Sequence, residues 1–425
     1  MDELRTLFIT KNKSNSGVNP LKIEVHPYET KINQILQRIE QRVSDYNWQL
    51  IRKYDRQLVN ESLAHATRLK NLETVLNLTT LLNKDWNKVD SDDIKELVYD
   101  IVTHYSNNGQ ETHSTYDHKK ILKIFFRWVK LGSRSKSEVG DPDETKSVKM
   151  KSVKNKLARE QLLTDEDLTK MLNNTLNLRD KAMIAIHYES GIRPGELLSL
   201  RLKHISIDEY GAMISVDGKT GARKVRIVNS VPALMNWIKI HPFADDPNRP
   251  LWVVLNKCAN YGLGLDSSTW KKQLTDISIR AGIKKRVYPN LFRHTSATNS
   301  ANFLTESQLR KRQGWTADSK MPSVYVHLVN ADVDEAYLSH LGIKMDKKPK
   351  TNHLPKLCPV CKSPNSYESQ ICSECGKALD LNSAINLEEN KQNEMSQLIK
   401  QAVAQEMQRE NHYLRKRIEE LESMR

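Results

Sequence analysis

The chain has 425 residues, more than one ordinary domain needs, so two or three compact units joined by linkers are expected. Hydrophobic residues make up 38%, enough for packed cores, which excludes a wholly disordered chain. Sixty-six Lys and Arg against 52 Asp and Glu leave a formal net charge of +14, which suits a polyanionic partner. No stretch approaches the roughly 20 apolar residues that span a bilayer, and Met1-Asp2-Glu3-Leu4-Arg5 lacks an apolar signal core. A cytoplasmic location is therefore expected.

Residues 1–31 are polar, with Lys11-Asn12-Lys13-Ser14-Asn15-Ser16-Gly17 in a row, and read as a loose arm. Residues 32–131 read as helices. Apolar side chains recur at helical spacing in Leu69, Leu72, Leu76 and Leu78, then Ile94, Leu97, Val98 and Ile101, then Ile121, Leu122, Ile124, Phe125 and Val129. Asp90-Ser91-Asp92-Asp93 makes an N-terminal cap before Ile94. Arg52, Lys53, Arg56, Arg68, Lys70, Lys119 and Lys120 ride on these helices, as a solvated face or as one that lines a nucleic acid. Residues 132–157 read as a basic linker, with Gly140-Asp141-Pro142 as breaker and Lys146, Lys149, Lys151, Lys154 and Lys156 close together.

A second domain is expected over residues 158–345. Thr164 caps a helix with an acidic first turn, and further helices run through Met183–Tyr188 and Glu196–Leu200. Two short strands, 213–216 and 224–228, flank the turn Asp217-Gly218-Lys219-Thr220-Gly221. The fold class is thus mainly α with a small antiparallel β-sheet. Cys258, alone in an apolar stretch, reads as an inert core residue.

Gly191-Ile192-Arg193-Pro194-Gly195-Glu196 is a turn opening a helix, with Pro194 at its first position and Glu196 placed to hold the Arg193 guanidinium. Later come Asn290-Leu291-Phe292-Arg293-His294-Thr295, Gln313-Gly314-Trp315 and Ser323-Val324-Tyr325-Val326-His327. In this order these stations resemble the tyrosine recombinases of the phage integrase type. That family shows a G-x-R-x-x-E turn, a lysine in a β-turn, an H-x-x-R-H-T/S helix, a G-H/W pair and a later tyrosine. The resemblance covers residues 158–345 strongly and residues 32–131 as a helical, SAM-like DNA-binding domain in the right place.

The resemblance implies a catalytic set of Arg193, Lys219, Asn290, Arg293, Trp315 and Tyr325. Two guanidiniums would hold the phosphate oxygens, Trp315 would donate its indole N–H, and Lys219 would protonate the leaving 5′ oxygen. Tyr325 would attack and form a 3′-phosphotyrosine, with no metal or other cofactor needed for the chemistry. It further implies double-stranded DNA as partner, a DNA-associated location, a homo-tetramer on two duplexes, and integration or excision of a mobile element. A type IB topoisomerase and a non-catalytic DNA-binding regulator are the rival readings. One station departs from the pattern: Asn290 stands where the family has His, and an amide cannot accept the tyrosine proton near neutral pH. Water or the phosphate oxygen is left for that task, while His294 and His327 read as structural neighbours.

Residues 356–380 hold Cys358-Pro359-Val360-Cys361 and Cys372-Ser373-Glu374-Cys375-Gly376. Two CxxC pairs at this spacing in a large, Lys-rich chain read as a ribbon with one structural Zn2+ on Cys358, Cys361, Cys372 and Cys375. In residues 385–425, Ala404, Met407, Asn411, Leu414, Ile418 and Leu421 alternate at steps of three and four. This tail is a helix, either packed on a catalytic domain or self-associating as a coiled coil registered by Asn411.

Overall fold

The computed structural model describes residue 21 and residues 23–329, apart from 152, 154–157, 219–220 and 257–258. Beyond these it describes residues 355–380 without 367–368, residues 383–384, 392, 395–397 and 399–409. The chain divides into two compact units, His26–Leu157 and Met1–Val25 together with Ala158–Arg425.

In the first unit α1 (Tyr28–Arg42) buries Ile32, Ile35, Leu36 and Ile39, one stripe at helical spacing. Ser44 caps α2 (Asp45–Asn60) by accepting the Asn47 N–H. The next helix, α3 (His65–Leu82), buries Leu69, Leu72, Val75, Leu76 and Leu78 around much of its circumference and packs on α1 and α2. It also meets α4 (Ser91–Tyr105) and α5 (His113–Leu131). Asp90 and Asp93 form the capping box of α4, as the sequence suggests. An aromatic centre ties the unit together: Phe125 meets Tyr54 edge-on at 4.9 Å and Trp86 at 5.0 Å. Each of these buried side chains contributes on the order of 2 kcal/mol.

Two expectations change here. Lys119, considered for a DNA-facing surface, is buried and donates to Glu111 at 2.7 Å, whereas Arg52, Lys53, Arg56 and Lys120 are exposed. Part of the span expected as linker is packed. It carries α6 (Lys136–Val139) and α7 (Asp143–Lys146), and Val148 joins the core. Asp141 gathers Arg127 and Lys123 from α5, and these partners outweigh burial to hold its carboxyl down to about 2.

In the second unit Val25 lies against the later chain, since Ser267 donates its backbone N–H to Val25 O at 2.9 Å. Thr164 and Asp167 form the capping box of α8 (Asp165–Asn173). Asn177 caps α9 (Leu178–Ser190), which ends at Gly191 in the left-handed region, φ +62°. A five-residue helix, α10 (Pro194–Leu198), follows. The sheet is antiparallel in the order β1 (Ile205–Asp208), β2 (Gly211–Gly218), β3 (Gly221–Ile227). Ala212, Ile214 and Val216 bury every second residue of β2. The sequence suggested only parts of β2 and β3; pairing carries both up to the Gly218–Gly221 pair.

After α11 (Val231–Lys239) and α12 (Ser267–Arg280) come α13 (Pro289–Ala301), α14 (Glu306–Gln313) and α15 (Met321–Val329). Helix α9 packs on α8, α11 and α13, while α13, α14 and α15 contact one another. A two-stranded ribbon, β4 (Lys356–Leu357) with β5 (Pro364–Asn365), carries Cys358 and Cys361 in its connection, and an isolated bridge, Ile371 with Ala378, flanks Cys372 and Cys375. In the tail, Ala404 and Met407 are exposed on a helix, and Asn411 to Leu421 lie outside the described residues. Among the described residues no helix is long and apolar enough to cross a membrane.

Candidate active site

The site forms where α9 ends, α13 begins and α14 ends. Gly191 is required there, because a Cβ would meet Ser296 Oγ at 2.6 Å and Gln313 Nε2 at 2.8 Å. The chain then turns into α10, whose Glu196 reaches back. Its Oε2 accepts the Arg193 backbone N–H at 2.8 Å and its Oε1 accepts the Arg193 guanidinium at 2.8 Å. Arg223 on β3 closes the other side, donating to both Glu196 oxygens at 2.9 and 2.8 Å. Burial alone would raise the Glu196 pKa, but Arg223 and the Arg193 N–H groups outweigh it and hold it down to about 2. Gly218 passes so close that a Cβ would stand 2.3 Å from Glu196 Oε1.

Three arginines cap one helix end. Arg223 Nε donates to Arg312 O at 3.0 Å, Arg293 to Gln313 O at 2.6 Å and Arg193 to Gly314 O at 2.5 Å. These carbonyls lie at and just past the C-terminus of α14, where the helix leaves acceptors without internal partners and its dipole favours cations. Arg293 also donates to Gly191 O at 2.9 Å. Burial and the nearby Arg193 charge lower its pKa to about 10, so it stays protonated at neutral pH. A guanidinium carries more N–H groups than these contacts use, so each has capacity for another oxygen.

Tyr325 on α15 is 2% exposed and packs with Ala297 and Leu309. The Trp315 ring stacks on it at 5.3 Å and 11°, and the Arg293 guanidinium lies 5.6 Å from the Trp315 ring centre. Its hydroxyl is hydrogen-bonded to His294 Nδ1 at 2.6 Å. Burial pushes the Tyr325 phenol up to about 12, outweighing the lowering by Arg293.

The structure thus brings Arg193, Arg293, Trp315 and Tyr325 together. Asn290 is exposed in the first turn of α13, and Lys219 lies outside the described residues, between Gly218 and Gly221. Sequence reasoning passed over Arg223, whose link to Glu196 spans the hairpin and shows no local pattern. It also took His294 as a bystander, although His294 holds the tyrosine oxygen. The side chain of His327, and Cys258, lie outside the described residues.

The four cysteines form a second cluster. Their sulfurs all lie within 4.8 Å of one another, with Cys358–Cys375 and Cys361–Cys372 at 3.5 Å. Thiolates around a tetrahedral zinc at about 2.3 Å stand about 3.8 Å apart, so the quartet fits such an ion. Each pair sits on a tight knuckle whose next residue, Lys362 or Gly376, has φ of +61° or +68°. Buried Asn365 braces the second knuckle, donating toward Cys372 Sγ at 3.5 Å and accepting the Ser373 N–H at 2.9 Å. The Cys375 and Glu374 amides lower the Cys372 thiol to about 6.

The model of the phage integrase family matches residues 161–331. Tyrosine recombinase XerD of Oceanobacillus iheyensis is 23% identical over 265 residues, 60% of this chain and 83% of that one. Tyrosine recombinase XerC of Histophilus somni is 28% identical over 173 residues, 40% of this chain and 54% of the relative. XerC of Salmonella typhi is 24% identical over 159 residues, 37% and 51% respectively, so the chain spans about half of these two relatives. A lambda integrase dimer bound to a COC' core site superposes with a TM-score of 0.52 at 12% identity, covering 82% of this chain and 88% of that one. A lambda integrase tetramer bound to a Holliday junction gives 0.52 at 12% identity, covering 71% and 80%. At such identity these two structures speak for the fold alone. With the matching family model and its named relatives, residues 161–331 carry a phage-integrase-family domain, and the chain is an enzyme similar to the tyrosine recombinases.

Proposed function

We propose that the chain is a site-specific recombinase that cuts and rejoins duplex DNA through a 3′-phosphotyrosine at Tyr325, integrating or excising a mobile element. The carrying observation is that Arg193 and Arg293 reach adjacent carbonyls of the turn whose next residue, Trp315, stacks on Tyr325. In this reading the two guanidiniums hold the non-bridging oxygens of the scissile phosphate and stabilise the charge of the pentacoordinate state. The Trp315 N–H donates to the same phosphate, and Asn290 orients it from the first turn of α13. Lys219 protonates the departing 5′ oxygen. Arg223 is a positioning residue that keeps Glu196, and through it Arg193, in place.

Duplex DNA is the partner. The working unit is a homo-tetramer on two duplexes, and the exposed cations of the helical unit, Arg52, Lys53, Arg56 and Lys120, meet the phosphate backbone. The cysteine quartet holds one structural Zn2+, outside the chemical steps, and the chain thereby represents recombinases that pair a C-terminal zinc ribbon with loss of the usual histidine. The C-terminal helix gives a surface for self-association.

The test is incubation of the full chain with a pool of nicked duplexes whose central base pairs are randomised. A covalent protein–DNA adduct is expected, mapped to Tyr325 by mass spectrometry. Tyr325→Phe should form none while binding the same DNA. DNA bound without any adduct from the wild-type chain would favour a regulator instead, and relaxation of supercoiled plasmid without strand exchange would favour a topoisomerase.

A further inference from the structure

We propose that His294 is the proton acceptor for Tyr325, supplying from the next turn of the same helix the base that the Asn290 station lacks. This rests on the phosphotyrosyl reading above. Asn290 and His294 are one turn apart on α13 and therefore lie on the same side of it. Asn290 is exposed, and its amide has no usable proton affinity. The His294 imidazole is half-buried instead, tilted 28° against the Tyr325 ring, with Nδ1 2.6 Å from the phenol oxygen. That distance is within the reach required of a general base.

The surroundings keep the imidazole neutral and ready to accept. Burial comes first and the Arg293 charge on the same helix second in lowering its pKa. From α15 the titratable group facing it is Tyr325, and Leu309 on α14 and Trp315 after it, which pack with Tyr325, bring no charge. Tyr325 is faced by Arg293 and Tyr288, and its proton stays on oxygen until something takes it. In the step proposed, Tyr325 O–H donates to His294 Nδ1. The Oη–P bond forms as the bond from phosphorus to the 5′ oxygen breaks, the phenol proton passes to Nδ1, and the 5′ oxygen takes its proton from Lys219. Rejoining runs in reverse: the 5′ hydroxyl attacks, gives its proton back to the lysine, and the imidazolium returns a proton to Oη. An imidazolium beside Arg293 is unfavourable alone, but the pentacoordinate phosphate brings compensating negative charge.

The experiment uses the full chain and the nicked duplex recovered by adduct formation from the randomised pool. His294→Asn places an amide oxygen near the Nδ1 position, so it keeps a hydrogen-bond acceptor without a base. Its single-turnover cleavage should fall about 100- to 10,000-fold with unchanged DNA affinity. The wild-type rate should fall as pH drops through the lowered histidine pKa, and this acidic limb should vanish in the variant. Added imidazole should restore part of the rate to His294→Ala. A substrate with sulfur at the bridging 5′ position, which needs no acid, should rescue Lys219→Ala but not His294→Asn. A His294→Asn rate within threefold of wild type, a faster one, or an unchanged pH profile would overturn the proposal. If the wild type forms no adduct, the functional reading fails instead. A DNA-free measurement still bears on His294. Imidazole nitrogen NMR of the full chain, assigned with His294→Asn, should show proton-free Nδ1 and protonated Nε2; a proton on Nδ1 would overturn the role.

Discussion

Arg193 and Arg293, a hundred residues apart in sequence, donate to the successive carbonyls of Gly314 and Gln313 at 2.5 and 2.6 Å. Two like charges are held together by the negative end of a helix, with the buried Glu196 carboxylate paired to Arg193. The arrangement is preorganised: no side chain must swing far to present two guanidiniums to one phosphate.

Glu196 should be worth a measurable part of the domain's stability. Its carboxyl is held down to about 2 from an ordinary 4.5, so its contribution is present above pH 4.5 and is lost as pH falls toward 2. Glu196→Gln should cost about 3 kcal/mol at pH 7 and about half that at pH 3. Denaturant titrations of both proteins at the two pH values measure it. An equal gap at both would show that the shape of the side chain matters and its charge does not.

Gly191→Ala should destabilise the second unit by about 2 kcal/mol or more, since the left-handed backbone and the contact with Ser296 both oppose a Cβ. Adduct formation should fall with it, because Gly191 O holds Arg293. Thermal unfolding together with the adduct assay checks both halves.

Asn290→Ala should leave the fold untouched, since the side chain is exposed. Loss of one hydrogen bond to the transition state should slow cleavage by about 1–3 kcal/mol, far less than Arg293→Ala. Asn290→His should keep or raise activity. Single-turnover rates from pH 6 to 9 (~3 units, spanning the histidine range) compare them, and an Asn290→Ala protein as inactive as Arg293→Ala would show that the amide does more than orient.

Metal analysis of freshly reduced protein should give one zinc per chain. Asn365→Ala, which removes the brace beneath Cys372, should weaken zinc binding about 10- to 100-fold in competition with a chromogenic chelator. Affinity unchanged by that substitution would mean that the knuckle backbone alone sets the sulfurs.

Much of the candidate site was legible because its parts are local patterns. The Arg193-to-Glu196 turn, the caps at Asp90 and Thr164 and the two CxxC pairs each declare themselves within a few residues. The rest depends on chain-distant partners. Arg223 reads as one more strand cation until Glu196 meets it, and His294 as a neighbour until α15 brings Tyr325 to its Nδ1. Lys119 looked like a surface charge because Glu111, which neutralises it, belongs to the preceding loop. The span after Gly132 looked like linker because its composition is polar, yet Asp141 anchors it to two cations of α5.

Because the three arginines grip main-chain oxygens at 312, 313 and 314, the clamp reads the path of the backbone and not the identity of the side chains there. Mutational tolerance should follow that line. Exposed Lys311, one residue before the gripped carbonyls, is open to many replacements, whereas Gly314, with φ +64° and Arg223 2.6 Å from where a Cβ would stand, is open to almost none. A saturation library over 310–315 should therefore show a glycine-only column at 314 and a permissive one at 311, while Arg312, buried Gln313 and Trp315 are restricted by their own side-chain contacts.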